Sequence, residues 1–150
     1  MELEKLMYHI CHAYLESPAD QADAVQEALI KAWQKRNTLH DEAQFRPWLI
    51  RILRNQCKDM LKKRKRESLY PLAEETALVP GPEPDAPVIE AIAHLKAEQR
   101  LVIHLHYLQG CSLSEMAALL QVPVGTVKSR MRSARKALGR TLFVEWEENQ

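Results

Sequence analysis

Glycine is scarce in this chain of 150 residues. Gly81, Gly110, Gly125 and Gly139 are the only four, and none stands in a G-x-G or P-loop arrangement. A loop that cradles phosphate needs closely spaced glycines to bring backbone amides up to the anion, so that chemistry has no platform here. Nor does the sequence cluster a carboxylate pair or a nucleophile beside a base, and the chain is not expected to be an enzyme. Cysteine is equally sparse. Cys11, Cys57 and Cys111 are widely spaced, odd in number and never in a C-x-x-C pair, which argues against a disulfide framework or a ribbon-type zinc site. His9, Cys11 and His12 fall together, but on adjacent turns of one helix with no fourth ligand in sequence, and they are read as incidental. No metal and no cofactor are expected. Long hydrophobic runs are also missing: none approaches the length of a membrane span. The start, Met1-Glu-Leu-Glu-Lys5, lacks the basic and apolar segments of a secretory signal. Membrane insertion is not expected, and the cytoplasm is the default location.

A large charge of either sign is absent as well, since the formal net charge is +1. The distribution says more than the sum. From Arg51 to Arg66 eight Lys and Arg face the single acid Asp59, and from Lys128 to Arg140 six cations face none. Between these blocks, residues 71–90 hold five acids and no Lys or Arg. Five of the eight prolines (Pro71, Pro80, Pro82, Pro84, Pro87) fall in the same stretch with Gly81. Proline fixes its own φ and disfavours helix in the residue before it, so 71–87 reads as an extended linker. The flanks, 1–70 and 88–150, are rich in helix formers. The expected fold is all-α, two small helical domains joined by a Pro-rich acidic linker.

In the first domain, Val25, Leu29, Ala32 and Trp33 form one apolar helical stripe, begun by Pro18 with Ser17 or Asp20 as cap. Asp23, Gln26, Glu27 and Lys31 occupy its other face, which by itself reads as solvated surface. A second stripe runs through Phe45, Trp48, Leu49, Ile52, Leu53, Gln56 and Met60, with Arg51, Arg54, Asn55, Lys58 and Lys62 opposite. That basic face continues into Lys62-Lys-Arg-Lys-Arg66, so phosphate contact is the favoured reading. The polar connection Asn37–Gln44 has no periodicity, and such loops between rigid helices are common seats of specificity.

In the second domain an amphipathic segment from Val88 through Leu108 places Ile89, Ile92, Leu95, Val102, Leu105 and Leu108 mostly on one side, and Gly110 ends it. Ser112 with Glu115 makes a capping box for the next helix. Val122 closes a turn, Pro123 pre-sets a new helix start, and Gly125 lets that end approach another surface closely. The result is a helix-turn-helix whose second helix is strongly basic. Its cations, with no acid to relieve them, fit a polyanion better than a merely solvated face. Thr126, Lys128, Ser129 and Arg130 sit where base edges are met, and Arg132, Arg135, Lys136 and Arg140 where phosphates run.

Three stretches in order, Pro18-Ala-Asp-Gln-Ala-Asp-Ala-Val-Gln-Glu27 with Trp33, Phe45-Arg-Pro-Trp-Leu-Ile-Arg-Ile-Leu-Arg-Asn55, and Pro123-Val-Gly-Thr-Val-Lys-Ser-Arg130, resemble the bacterial RNA polymerase sigma factors, in particular the small extracytoplasmic-function (ECF) type of the sigma-70 family. The resemblance covers nearly the whole chain. It implies a region 2 bundle over 1–70, binding core polymerase and the minus-10 element, and a region 4 helix-turn-helix over 88–150, binding the minus-35 element. It converts Asp23, Gln26, Glu27 and Lys31 into a contact with the clamp helices of the polymerase largest subunit; the flap of the second subunit is a further implied contact. Leu39, His40, Arg51, Arg54, Asn55, Lys58 and Lys62 become minus-10 contacts, with the loop 37–44 a pocket for an unstacked base. Leu39 stands where the family usually has an aromatic residue, which weakens base capture by stacking. Thr126, Lys128, Ser129, Arg130, Arg132, Ser133, Arg135 and Lys136 become minus-35 contacts. Promoter DNA, core polymerase and an anti-sigma protein are the implied partners. The competing reading is a stand-alone helix-turn-helix regulator that binds operators, which would account for 88–140 and leave the first domain unexplained.

Overall fold

The computed structural model describes residues 2–67 and 86–148, without the side chains of 86, 87 and 141–148. Seven α-helices make up these residues, with no strand among them. They are α1 (Glu2–Tyr14), α2 (Pro18–Gln34), α3 (Phe45–Glu67), α4 (Ala86–Ala93), α5 (Ala97–Ile103), α6 (Leu113–Leu120) and α7 (Val124–Glu148). Most of the Pro-rich acidic stretch, 71–85, lies outside the described residues. Its last two positions open α4, where proline is tolerated because a first-turn N–H has no helical acceptor to lose.

The first half is a three-helix bundle, α1, α2 and α3 packed pairwise. Ser17 caps α2, its hydroxyl accepting from the Asp20 amide at 3.4 Å. The buried row of α2 is Asp20, Gln21, Ala24, Val25, Ala28 and Ala32, which keeps Val25 and Ala32 of the expected stripe but not its two largest members. Leu29 and Trp33 stand outside at 48% and 69% exposure. Small residues let α2 lie close on α3, so the alanine row faces inward and the bulky residues are turned out. On α3, Leu49, Ile52, Leu53 and Gln56 are buried as the stripe requires, and Trp48 and Met60 half-buried. Phe45 is exposed, while Ile50 and Cys57, outside the expected stripe, are fully buried.

In the second half, the expected single segment 88–108 is broken. After α4, residues 94–96 turn, and Lys96 takes extended backbone (φ −64, ψ 151) before α5 restarts. The Gln99 side-chain oxygen accepts from the Lys96 amide at 3.1 Å, and Arg100 donates to the Ala93 carbonyl at 3.1 Å, so side chains satisfy the break. A π-type turn over His104–Leu108, wider than an α-turn, then ends this segment. Gly110, at φ 68, takes the left-handed backbone expected of it. Ser112 caps α6 by accepting from the Glu115 amide at 3.1 Å. Gln121 closes α6 at φ 55, a left-handed position usually given to Gly or Asn.

The two halves meet across a shared apolar boundary. Leu101, Val102, Ile103, His104 and Leu105 are five consecutive buried residues. One-sided amphipathicity cannot bury five in a row. Here α5 and the following turn are enclosed on both sides, by α1 of the first half and α7 of the second. Leu108 and Ile89, counted on the same stripe, are exposed instead.

Candidate nucleic-acid interface

Three surfaces carry most of the residues singled out by sequence. On α2, Asp23, Gln26 and Glu27 are exposed. Lys31 is half-buried, and its ammonium donates to the Gln56 side-chain oxygen on α3. Beside the three exposed polar groups stand Leu29, Ile30 and Trp33, with the Arg36 guanidinium 4.2 Å over the Trp33 ring. An apolar patch edged by polar groups is the composition of a protein-binding surface. Leu29 and Trp33 of this patch are expected in the core from their spacing; the alanine row of α2 is the signal that moves them out.

The second surface is a groove of about 750 Å³ along α3. Arg51, Asn55, Lys58 and Lys62 line one wall, and Lys31, Gln34, Lys35 and Thr38 line the α2 side. Trp48 joins them, its indole N–H donating to the Thr38 hydroxyl at 3.1 Å, with the Phe45 ring centred 6.1 Å away. Leu39 and His40 are not part of this lining. Trp48, expected from its spacing only as core, is the aromatic residue on the groove wall. Arg54 is turned away from the groove. Its Nε donates to the Tyr14 hydroxyl at 3.3 Å and its Nη2 to Glu98 at 3.2 Å, leaving its side chain 14% exposed.

The third surface is the outer side of α7. Val127, Met131 and Ala134 are buried, so Lys128, Ser129, Arg132, Ser133, Arg135, Lys136 and Arg140 are exposed and Thr126 half-buried. Ser133 accepts from the Gln99 side-chain amide at 2.8 Å. Arg130 differs from its neighbours. It is half-buried on the inner side with Nη1 3.3 Å from Glu98, close enough for an ion pair but not aligned as a hydrogen bond. A Cβ built on Gly125 meets nothing within 4 Å, so the close approach expected there has no partner within the described residues.

Glu98 therefore touches Arg54, Lys58 and Arg130 at once. Burial pushes its carboxyl up, but the three cations overcome that and hold it below the ordinary carboxylate value. Single exposed pairs are worth ~0.2–1 kcal/mol each; a shared, partly buried carboxylate binds more firmly. Burial raises the Tyr14 hydroxyl to about 12 against the opposing pull of Arg54, so it stays protonated and donates to Glu98 at 3.3 Å. Across the same boundary the His12 and His104 rings stack, centroids 5.3 Å apart. Burial drives His104 down to about 4, partly offset by its contact with the His9 carbonyl. Cys11 lies 3.7 Å from Cys57 in the core, and that hydrogen bond together with burial pushes its thiol up. His12 turns instead to His104 and Gln21, so the His9-Cys11-His12 group is pulled apart; among the described residues no three His, Cys, Asp or Glu gather as metal ligands would.

A helical bundle with a basic face, followed by a basic helix-turn-helix, is the arrangement that the sequence motifs imply. Sigma-70 region 2 matches residues 1–67 and Sigma-70, region 4 matches residues 86–138. SigW of Bacillus subtilis, an ECF RNA polymerase sigma factor, is 30% identical over 91% of this chain and 82% of its own length. The chain belongs to the ECF sigma factors. The ECF factor SigM of Mycobacterium tuberculosis is 36% identical over 82% of this chain; the match spans 64% of SigM, so the chain covers a little under two thirds of that relative. Among solved structures, RpoE of Bartonella quintana, in complex with the anti-sigma factor NepR, is 31% identical at a TM-score of 0.73, covering 95% of this chain and 92% of that one. Among the described residues of this ECF factor no helix is long and apolar enough to cross a membrane.

Proposed function

We propose that this chain is a promoter-specificity subunit of RNA polymerase, acting in the cytoplasm by binding and not by chemistry of its own. One observation carries the reading: two basic faces on separate helices, α3 and α7, in a chain whose two halves match sigma regions 2 and 4 in order. Asp23, Gln26 and Glu27, with the apolar patch of Leu29, Ile30 and Trp33, are the docking face for the clamp helices of the largest subunit. The α3 groove takes the opened minus-10 strand. Arg51, Asn55, Lys58 and Lys62 hold its backbone, and Trp48 offers a stacking surface that recoups part of the unstacking cost. The outer row of α7 enters the major groove of the minus-35 duplex, with Lys128, Ser129, Arg132 and Ser133 nearest the base edges and Arg135 and Lys136 on phosphates. The flap of the second subunit and an anti-sigma protein complete the partners. The domains are assigned as 1–70 and 88–150, joined by 71–87.

The test is reconstitution. Core polymerase is mixed with this chain, and transcripts from genomic DNA are sequenced. Tight binding to core without DNA, and initiation at a common pair of elements, is the expected result. Gln26→Ala with Glu27→Ala should weaken core binding and leave minus-35 duplex binding intact. A chain that ignores core polymerase yet binds duplex operators would be a stand-alone regulator instead.

A further inference from the structure

Both basic helices converge on one carboxylate. Glu98, in the first turn of α5, lies 3.2 Å from Arg54 and 3.4 Å from Lys58 on α3, and 3.3 Å from Arg130 on α7. A second bridge joins the halves nearby: the Arg51 guanidinium donates to the side-chain oxygen of Gln121, in the turn between α6 and α7. Gln121 holds that place from a left-handed backbone, φ 55, which costs a residue with a Cβ. The apolar boundary at Leu101 and Leu105 keeps the halves together, and these polar bridges decide which cations the second half covers. Arg51, Arg54 and Lys58 are among the cations sequence reasoning gave to the minus-10 strand, and in this arrangement all three are held by the other half.

We propose that Glu98 and Gln121 form an intramolecular clasp, in which the Glu98 carboxylate stands where a DNA phosphate would and keeps the cations of α3 from single-stranded DNA until the two halves part. The inference rests on the assignment of α3 to strand capture. The physical basis is competition. A carboxylate held in the same molecule is always present at high effective concentration, so an incoming phosphate must displace it. If only a tenth of the free chain is open, its apparent affinity for a strand falls about tenfold. Whatever binds the open state preferentially, polymerase included, relieves the block by that factor.

The test uses the full chain and two labelled probes, a single-stranded oligodeoxythymidine 12-mer and a 20-base-pair duplex, at one fixed salt concentration. Glu98→Gln should raise affinity for the single strand about fivefold to tenfold and raise duplex affinity much less. Gln121→Ala, which changes no charge, should raise single-strand affinity about twofold to threefold and leave the duplex unchanged. An equal gain on both probes by Glu98→Gln would reflect only the lost negative charge and would overturn the clasp, as would no gain in either folded variant. Should Glu98→Gln not fold because Arg130 loses its partner, Gln121→Ala decides alone: a gain confined to the single strand supports the clasp, and its absence overturns it. Core polymerase binding by the unaltered chain, measured alongside, separates this inference from the sigma reading. Single-strand gain without core binding sustains the clasp and removes the sigma role; core binding without gain does the reverse.

Discussion

The two basic helices carry similar charge but present it differently. On α7 the outer row, Lys128, Arg132, Arg135 and Lys136, is exposed along one side. On α3, Arg54 and Lys58 are drawn onto Glu98, Arg51 onto Gln121, and Lys31 from α2 onto Gln56. The cause is position. Helix α7 lies with one side on the second half and the other facing solvent, whereas α3 is the seam helix that packs on α1, α2 and α6. A cation in a seam finds a neighbour, and one on an outer face finds water or a polyanion. Charge density along a helix therefore marks where an anion could bind, while the packing around the helix sets how much of that charge is available.

The contrast breaks most severely if the boundary between the halves is loosened. Leu101, fully buried between α1 and α7, should cost about 2–5 kcal/mol when cut to Ala. Urea unfolding would then show one destabilised transition for the whole chain; loss of the second half alone would mean that the halves are not coupled. Acid should act at the same place. His104 has a folded value of about 4 against an ordinary 6.5, because burial disfavours its charged form. Its contribution is complete above about pH 6.5, is lost as pH falls through the window from 6.5 to 4, and amounts to about 3 kcal/mol. His9 and His12 on α1, also lowered by burial, face the same cluster and add to the loss, while Arg100 on α5 stays cationic throughout and its charge disfavours protonation of His12 and His104. Unfolding measured stepwise over that window, in the intact chain and in His104→Asn, checks this; a variant with the same slope would remove His104 from the account.

On α7 the comparison sharpens between adjacent cations. Arg132→Ala should cost about 1–3 kcal/mol on a cognate duplex and little on a scrambled one, with folding stability unchanged. Arg130→Ala should show the opposite pattern, lowering stability by about 1 kcal/mol through the lost Glu98 pair, with smaller effects on sequence preference. Equal specificity losses would return Arg130 to base reading. The smallest effect is expected at Gly125. Ala there meets nothing within 4 Å, so stability should stay within about 0.5 kcal/mol. A loss of duplex affinity without a loss of stability would then reveal how closely DNA approaches that helix start.

Much of this molecule was legible beforehand. Ser17, Gly110 and Ser112 punctuate helices through local chemistry, backbone freedom and hydroxyl capping, and they act the same way whatever packs nearby. The exposed side of α7 was legible too, because Val127, Met131 and Ala134 repeat at helical spacing and leave the cations opposite. Trp33 and Leu29 were misread because large apolar residues suggest a core, while the chain used its alanines for close contact and turned the large residues out. Trp48 was read only as packing, since its place on the groove wall depends on Thr38 from the preceding segment. Nothing in the neighbourhood of Glu98 marks it as special: it is one acid in the first turn of a short helix.

By itself, then, the sequence determined most of the helices and several of their caps, the two blocks of positive charge and the family to which they belong. These follow from interactions within a few residues, or from patterns that repeat along one helix. Only the tertiary structure decided that five consecutive residues from Leu101 to Leu105 are all buried, that Arg130 turns inward while Arg132 stays out, and that one carboxylate serves both halves. Those outcomes depend on groups far apart in the chain, Arg54 and Glu98 among them, whose meeting is set by how whole helices pack and not by any local preference.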